Sequence, residues 1–168
     1  MYNITKQLCL VLVCVLMFSS CTKDNEFSEE NAAIKTADLV DYMTYSQIEL
    51  EILDAVNDHR ISLGLSSLRR VEGITLQAMD HNEYMIEKNK ISHDNFTKRY
   101  AALVNEIGAK TVSENVGSGF KSAGAVVKAW LDSEGHKENI EGDHTHFGIS
   151  VTQDLNGTNY FTNIFVKR

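Results

Sequence analysis

The chain has no proline, one tryptophan and three cysteines among its 168 residues. Without proline there is no proline-rich linker to mark a domain boundary, and no internal repeat or low-complexity tract supplies one. Cys9 and Cys14 fall inside an apolar stretch near the amino terminus, which leaves Cys21 alone beyond it. One thiol can make neither an intrachain disulfide nor a cysteine-based zinc site, so the folded part must stand on its core. Basic charge is scarce: 16 Lys and Arg face 23 Asp and Glu, a net charge of −7, with no basic stripe and six scattered histidines. That balance argues against nucleic acid and anionic lipid surfaces as partners. Also missing are a strand–turn–helix nucleophile elbow, a phosphate loop, an H-E-x-x-H helix and a reactive cysteine near a histidine.

What is present begins with an export segment. Lys6 precedes an apolar run from Leu8 to Phe18, about the length of a signal h-region and too short to span a bilayer comfortably. Phe18-Ser19-Ser20-Cys21 resembles a bacterial lipobox. The likeness implies a signal over residues 1–20, cleavage before Cys21 and diacylglycerol on its sulfur. At roughly 0.8 kcal/mol per buried methylene, two or three acyl chains hold a protein firmly to a membrane. Residues 21–45 read as the lipid anchor and an acidic, polar tether. A flexible chain of that length spans roughly 25–30 Å. Lys23, Asp24 and Glu26 directly after the cysteine resemble the acidic export signal of surface lipoproteins, which implies an outer-membrane, surface-exposed location in a bacterial envelope.

Residues 46–168 are the right size for one domain. Ser46-Gln47-Ile48-Glu49 fits a capping box, and Leu50, Leu53 and Val56 continue at helical spacing until Gly64. Further helices are expected over Ile74–Lys90, over Thr97–Ile107 before Gly108, and after Ser122 through Val126, Val127, Trp130 and Leu131. Thr111–Val116 alternates as a strand. Phe147, Ile149 and Val151 define another, and Asn156-Gly157 predicts a two-residue primed turn into a return strand Tyr160–Val166. That last strand is apolar on both faces, which demands cover on both. The fold class expected is therefore α+β, a three-layer α-β-α sandwich around an antiparallel sheet.

Period two puts Glu114 on the same face as Val112 and Val116. A carboxylate there is unfavourable unless paired, and His93 and His136, at helix ends, are natural partners. Burial would raise the carboxyl pKa and a neighbouring imidazolium would lower it. His81 fits a hydrogen-bonded core position, Trp130 a core position with a bonded indole N–H, and His59 a solvated helix face. Asp143, His144 and His146 read as a polar loop entering a strand, with metal binding as the alternative.

The series His81-Asn82-Glu83-Tyr84-Met85, Ser92-His93, Ser113-Glu114-Asn115-Val116, Trp130-x-x-Ser133-x-Gly135-His136-x-x-Asn139-Ile140 and Thr145-His146-Phe147-Gly148-Ile149 resembles the signature of the CAP superfamily. This is the group of SCP or PR-1-like domains that includes bacterial YkwD-like proteins. The likeness covers about residues 48–168 and implies the same α-β-α sandwich, with a central cavity lined by two histidines and two acidic residues. His93, Glu114 and His136 would be three of these. The second acidic position of eukaryotic members falls on Ser133, as it does in bacterial relatives. Asn139 reads as capping or tethering a loop and, with Ser133, is a candidate lining residue of the cavity.

Three functions fit. The leading one is a non-catalytic cell-envelope module presenting the cavity to a small-molecule, lipid, glycan or protein ligand, with no cofactor required. A second is a metal-assisted hydrolase of peptide or cell-wall bonds, with His93 and His136 on zinc or another divalent metal, a further ligand from Asp143–His146, and Glu114 as general base. In the third, the histidine–glutamate set is only a structural network.

Overall fold

The computed structural model describes residues 45–168. The signal segment, Cys21 and the tether through residue 44 lie outside the described residues. Tyr45, which the sequence places in the tether, is part of the folded body. It is buried in the main core, its hydroxyl bonds Thr75 Oγ1, and the Arg70 guanidinium lies 4.8 Å above its ring.

Five helices surround a four-stranded sheet among the described residues. In chain order they are α1 (Gln47–Ser62), β1 (Arg69–Arg70), α2 (Glu72–Lys88), α3 (Phe96–Ile107), β2 (Thr111–Ser118), α4 (Ala123–Leu131), α5 (Glu134–Glu141), β3 (His146–Gln153) and β4 (Asn159–Lys167). Strand order is β1-β3-β4-β2. The three long strands are antiparallel as expected, but the two-residue β1 runs parallel to β3, so the sheet is mixed. Its two arginines carry no hydrophobic alternation, and so nothing in the sequence marked them as a strand.

The doubly apolar β4 is central and covered on both sides. On one face Phe147, Ile149, Phe161 and Phe165 meet Ile52 and Val56 of α1, Val126, Val127 and Trp130 of α4, and Ile140 of α5. On the other, Ile164 and Val166 meet Ile74 and Ala78 of α2 and Leu103 of α3, while Met85 packs on Val116 and Tyr160. Gly148 lets α2 approach β3: a Cβ there would come within 2.4 Å of Thr75 N and 2.7 Å of Ile74 Cβ. Asn82, fully buried on α2, donates to Ser150 O at 2.8 Å and Tyr160 O at 3.1 Å and accepts from Thr162 Oγ1 at 2.7 Å.

Two local expectations need correction. The β3–β4 turn is a three-residue loop, Leu155-Asn156-Gly157, rather than a two-residue primed turn. Asp154 N–H bonds Thr158 O, and the Asp154 carboxylate takes the N–H groups of Asn156 and Thr158. That capture shifts the tight corner so that Gly157 alone adopts positive φ (+76°) and Asn156 does not. The second is Glu134–Glu141, which had no element assigned and forms α5. Its polar sequence buries only Ile140, too little periodicity to betray a helix.

Candidate functional site

The site is built on β2, an edge strand. Pairing of Glu114 with Ile164, and of Val112 with Val166, places the Glu114 side chain on the α2–α3 face, the side that period two required. It is 5% exposed. Its principal partner is one that the sequence did not reveal. Arg99 of α3, itself buried, donates Nε to Oε2 at 2.8 Å and Nη2 to Oε1 at 2.7 Å. This bidentate fork is the strong form of an arginine–carboxylate contact. Arg99 also donates Nη1 to Asp94 O at 2.8 Å, fixing the loop that carries His93. A clue lay in the helix: Arg99 sits four residues before the buried Leu103 on the inward stripe of α3.

His93 Nδ1 donates to Glu114 Oε1 at 2.8 Å while about half of the ring faces solvent. His81 occupies the core, as expected. Its Nε2–H donates to Ser92 O at 2.7 Å and stands 3.8 Å from Glu114 Oε1. Burial pushes the Glu114 carboxyl up. The hydrogen bonds from His93 and Arg99 and the Arg99 charge outweigh it and hold the pKa below the usual carboxylate value. Burial pushes the His81 imidazole down, against a smaller opposing pull from Glu114.

From the opposite layer, Asn139 of α5 donates Nδ2 to Glu114 O at 3.2 Å and to Asn115 Oδ1 at 2.9 Å, and Asn115 donates Nδ2 to His136 O at 3.0 Å. Trp130 is core and its indole N–H reaches Val116 O at 3.0 Å. A cleft of about 300 Å³ opens here, lined by His93, Phe96, Val112, Ser113, Glu114 and Asn139. His136 and Ser133 are not among its lining residues. His136 lies at the start of α5 without a hydrogen bond to Glu114. Its Nδ1 is buried and unpartnered among the described residues, and burial, then the nearby His93 charge, lowers its pKa. Ser133 is the residue preceding α5, and its carbonyl accepts Lys137 N–H at 2.8 Å.

The Asp143–His146 loop disperses to separate partners. Asp143 pairs with Lys167 at 2.6 Å, His144 Nε2 lies 3.2 Å from Ser113 Oγ, and His146 Nδ1 lies 2.8 Å from Thr145 Oγ1. His59 is not a purely solvated residue: its Nε2 bonds Glu141 Oε1 at 2.8 Å, joining α1 to α5. A zinc centre needs at least three protein ligands. Among the described residues no group of three His, Cys, Asp or Glu side chains is gathered for a metal ion. Both oxygens of Glu114 are already committed to Arg99 and His93. The donor set does not fit a zinc ion, and a carboxylate so engaged is a poor proton acceptor at neutral pH.

An α-β-α sandwich with a buried carboxylate at one sheet edge, a half-exposed histidine bonded to it and an asparagine bracing the strand from the other layer defines a recognisable class. Residues 53–166 match the model of CAP, the cysteine-rich secretory protein family, and the chain belongs to that family. Two Bacillus subtilis proteins are similar in sequence. The membrane protein YlbC is 32% identical over 71% of this chain and 34% of its own length, and YkwD is 32% identical over 64% and 44%. The chain thus spans less than half the length of these relatives. In structure it is similar to an outer surface protein of Borrelia burgdorferi (TM-score 0.66, 22% identity, 74% of this chain and 96% of that one). It is also similar to an extracellular protein of Bacillus anthracis containing an SCP domain (TM-score 0.64, 25% identity, 71% and 40%).

Proposed function

We propose that this is a cell-envelope binding module that presents the His93–Glu114–Asn139 cleft to a ligand or partner and performs no chemistry of its own. The observation that carries this reading is the state of Glu114. Both its oxygens are engaged by Arg99 and His93, so the acid serves to lock His93 and the α2–α3 loop at the rim of a concave, solvent-open site. Such a rim is preorganised for recognition, and no group of three metal-ligating side chains is gathered beside it among the described residues.

The module is exported and held to the membrane through lipid on Cys21, standing on the outer membrane with its domain outward. The signal-like residues 1–20 support this, together with the surface and extracellular descriptions carried by two structural neighbours. No helix among the described residues is long and apolar enough to cross a membrane.

The test titrates isotope-labelled protein with a panel of glycans, fatty acids, sterols and short peptides. Amide shifts should cluster at residues 93–96, 111–115 and 139, and His93→Ala should weaken that binding at least tenfold in a chain that stays folded. Shifts confined to another surface would refute the assignment. Radiolabelled palmitate should enter the wild-type chain in cells and fail to enter Cys21→Ala; equal labelling would remove the anchor.

A further inference from the structure

In an antiparallel ladder, alternate residues turn their N–H and C=O groups toward the neighbouring strand and the others turn them away. Gly119 N–H bonds Asn159 O, which in this register assigns the odd-numbered residues of β2 to the ladder with β4. The even-numbered residues therefore turn their main-chain groups to the open side. Glu114 O and Val116 O agree, because each accepts from a side chain: Asn139 Nδ2 and Trp130 Nε1. Toward the start of the strand this cover stops. By the same parity Val112 N–H, Val112 C=O and Glu114 N–H face the open side, where no bond to them is found among the described residues, and Val112, Ser113 and Glu114 line the cleft.

We propose that this open stretch binds an extended peptide as an added strand. The inference rests on the binding-module reading and names the class of ligand. An acceptor and a donor flanking Ser113 on one strand edge match the repeat of another main chain, and such pairing places the guest about 4.8 Å away. The guest's side chains would alternate. One points toward Phe96 and His93 on the α3 side, and its neighbours point toward Ser113 and Asn139 on the α5 side. An apolar residue beside a polar one suits those walls. A flexible segment of a partner protein fits better than a second folded copy, whose own α3 and α5 would meet those flanking this edge.

The full chain is used to select linear heptapeptides from a displayed random library, and the enriched sequences are synthesised. Binding should slow amide exchange at Glu114 at least tenfold. It should vanish when the peptide's central residue is N-methylated, which removes a main-chain donor and leaves the protein untouched. Val112→Pro removes an outward N–H and obstructs the edge without breaking a β4 bond, so it should weaken binding at least tenfold in a chain that still folds cooperatively. Failure to enrich any peptide, indifference to N-methylation, or equal affinity for a folded Val112→Pro protein would overturn the proposal. Glycans or lipids shifting the same cleft amides would leave the binding module standing and remove only the peptide.

Discussion

At the scale of single residues, Glu114 carries most of the physics of the site. A buried carboxylate is tolerated because a bidentate guanidinium and an imidazole satisfy it, and the set is vulnerable from the cation side. Arg99→Met removes the main partner and strands the acid in the core. Urea unfolding should show a loss of about 3–5 kcal/mol, the usual effect of breaking a buried pair from one side. Glu114→Gln keeps the shape and leaves the cation without its countercharge, so it should also lower the midpoint.

Acidification tests the charges themselves. The Glu114 carboxyl is held low in the folded state, so its stabilisation is present above the ordinary carboxylate pKa of about 4.3 and is lost as pH falls through the folded value. For His81, His136 and His144, burial lowers the folded pKa. The unfolded chain then takes up protons first once pH drops below about 6.5, so stability falls from there downward. Unfolding midpoints measured from pH 7 to pH 3 should therefore decline in two stages. Glu114→Gln should diminish the lower stage and, by removing the carboxylate's pull on His81, deepen the upper. A profile level between pH 7 and pH 5 would contradict the lowered histidine pKa values.

At the scale of elements, legibility follows how each segment buries its residues. Strand β4 announces itself because Tyr160, Ile164 and Val166 face one helical layer while Phe161 and Phe165 face the other. Glu114 could be assigned to a face because strand period is two. Helix α5 could not be seen, since seven of its eight residues leave no apolar stripe and its place is set by tertiary bonds. Arg60 joins it to α1, donating Nη1 to Ile140 O at 2.6 Å and to Gly142 O at 2.9 Å. Buried guanidiniums such as Arg60 and Arg99 read as surface charge in a sequence, because only the fold reveals the acceptors waiting for them. Gly148 is the reverse case, a small residue whose necessity appears only when α2 is laid across it. Gly148→Ala should cost about 1–3 kcal/mol by overpacking against the Ile74–Thr75 backbone, measured by thermal unfolding.

Across the whole molecule the recurring problem is the sheet edge, where unpaired main-chain groups invite other strands. On the β3 side the chain closes its edge at three points, the first being Arg69 N–H on Thr145 O at 3.1 Å. Val71 N–H meets Phe147 O at 3.2 Å, and the Glu49 carboxylate, already bonded to Ser46 N–H at the start of α1, takes Val151 N–H at 2.7 Å. On the β2 side Trp130 and Asn139 do the same for two carbonyls, using donors carried by α4 and α5. The family motifs thus gain a mechanical meaning: the tryptophan and asparagine of one stretch bind the backbone of another, and so bring helices to the edge beside Glu114. Asn139→Leu keeps the size of the side chain and deletes both donors. It should leave Glu114 O bare, cost about 1–3 kcal/mol for the stranded acceptor, and lengthen the open edge by one carbonyl. Urea unfolding of Asn139→Leu beside the wild-type chain should show that loss. If the two unfold alike, Asn139 is not the guard of this edge, and its bond to Glu114 O contributes nothing to stability.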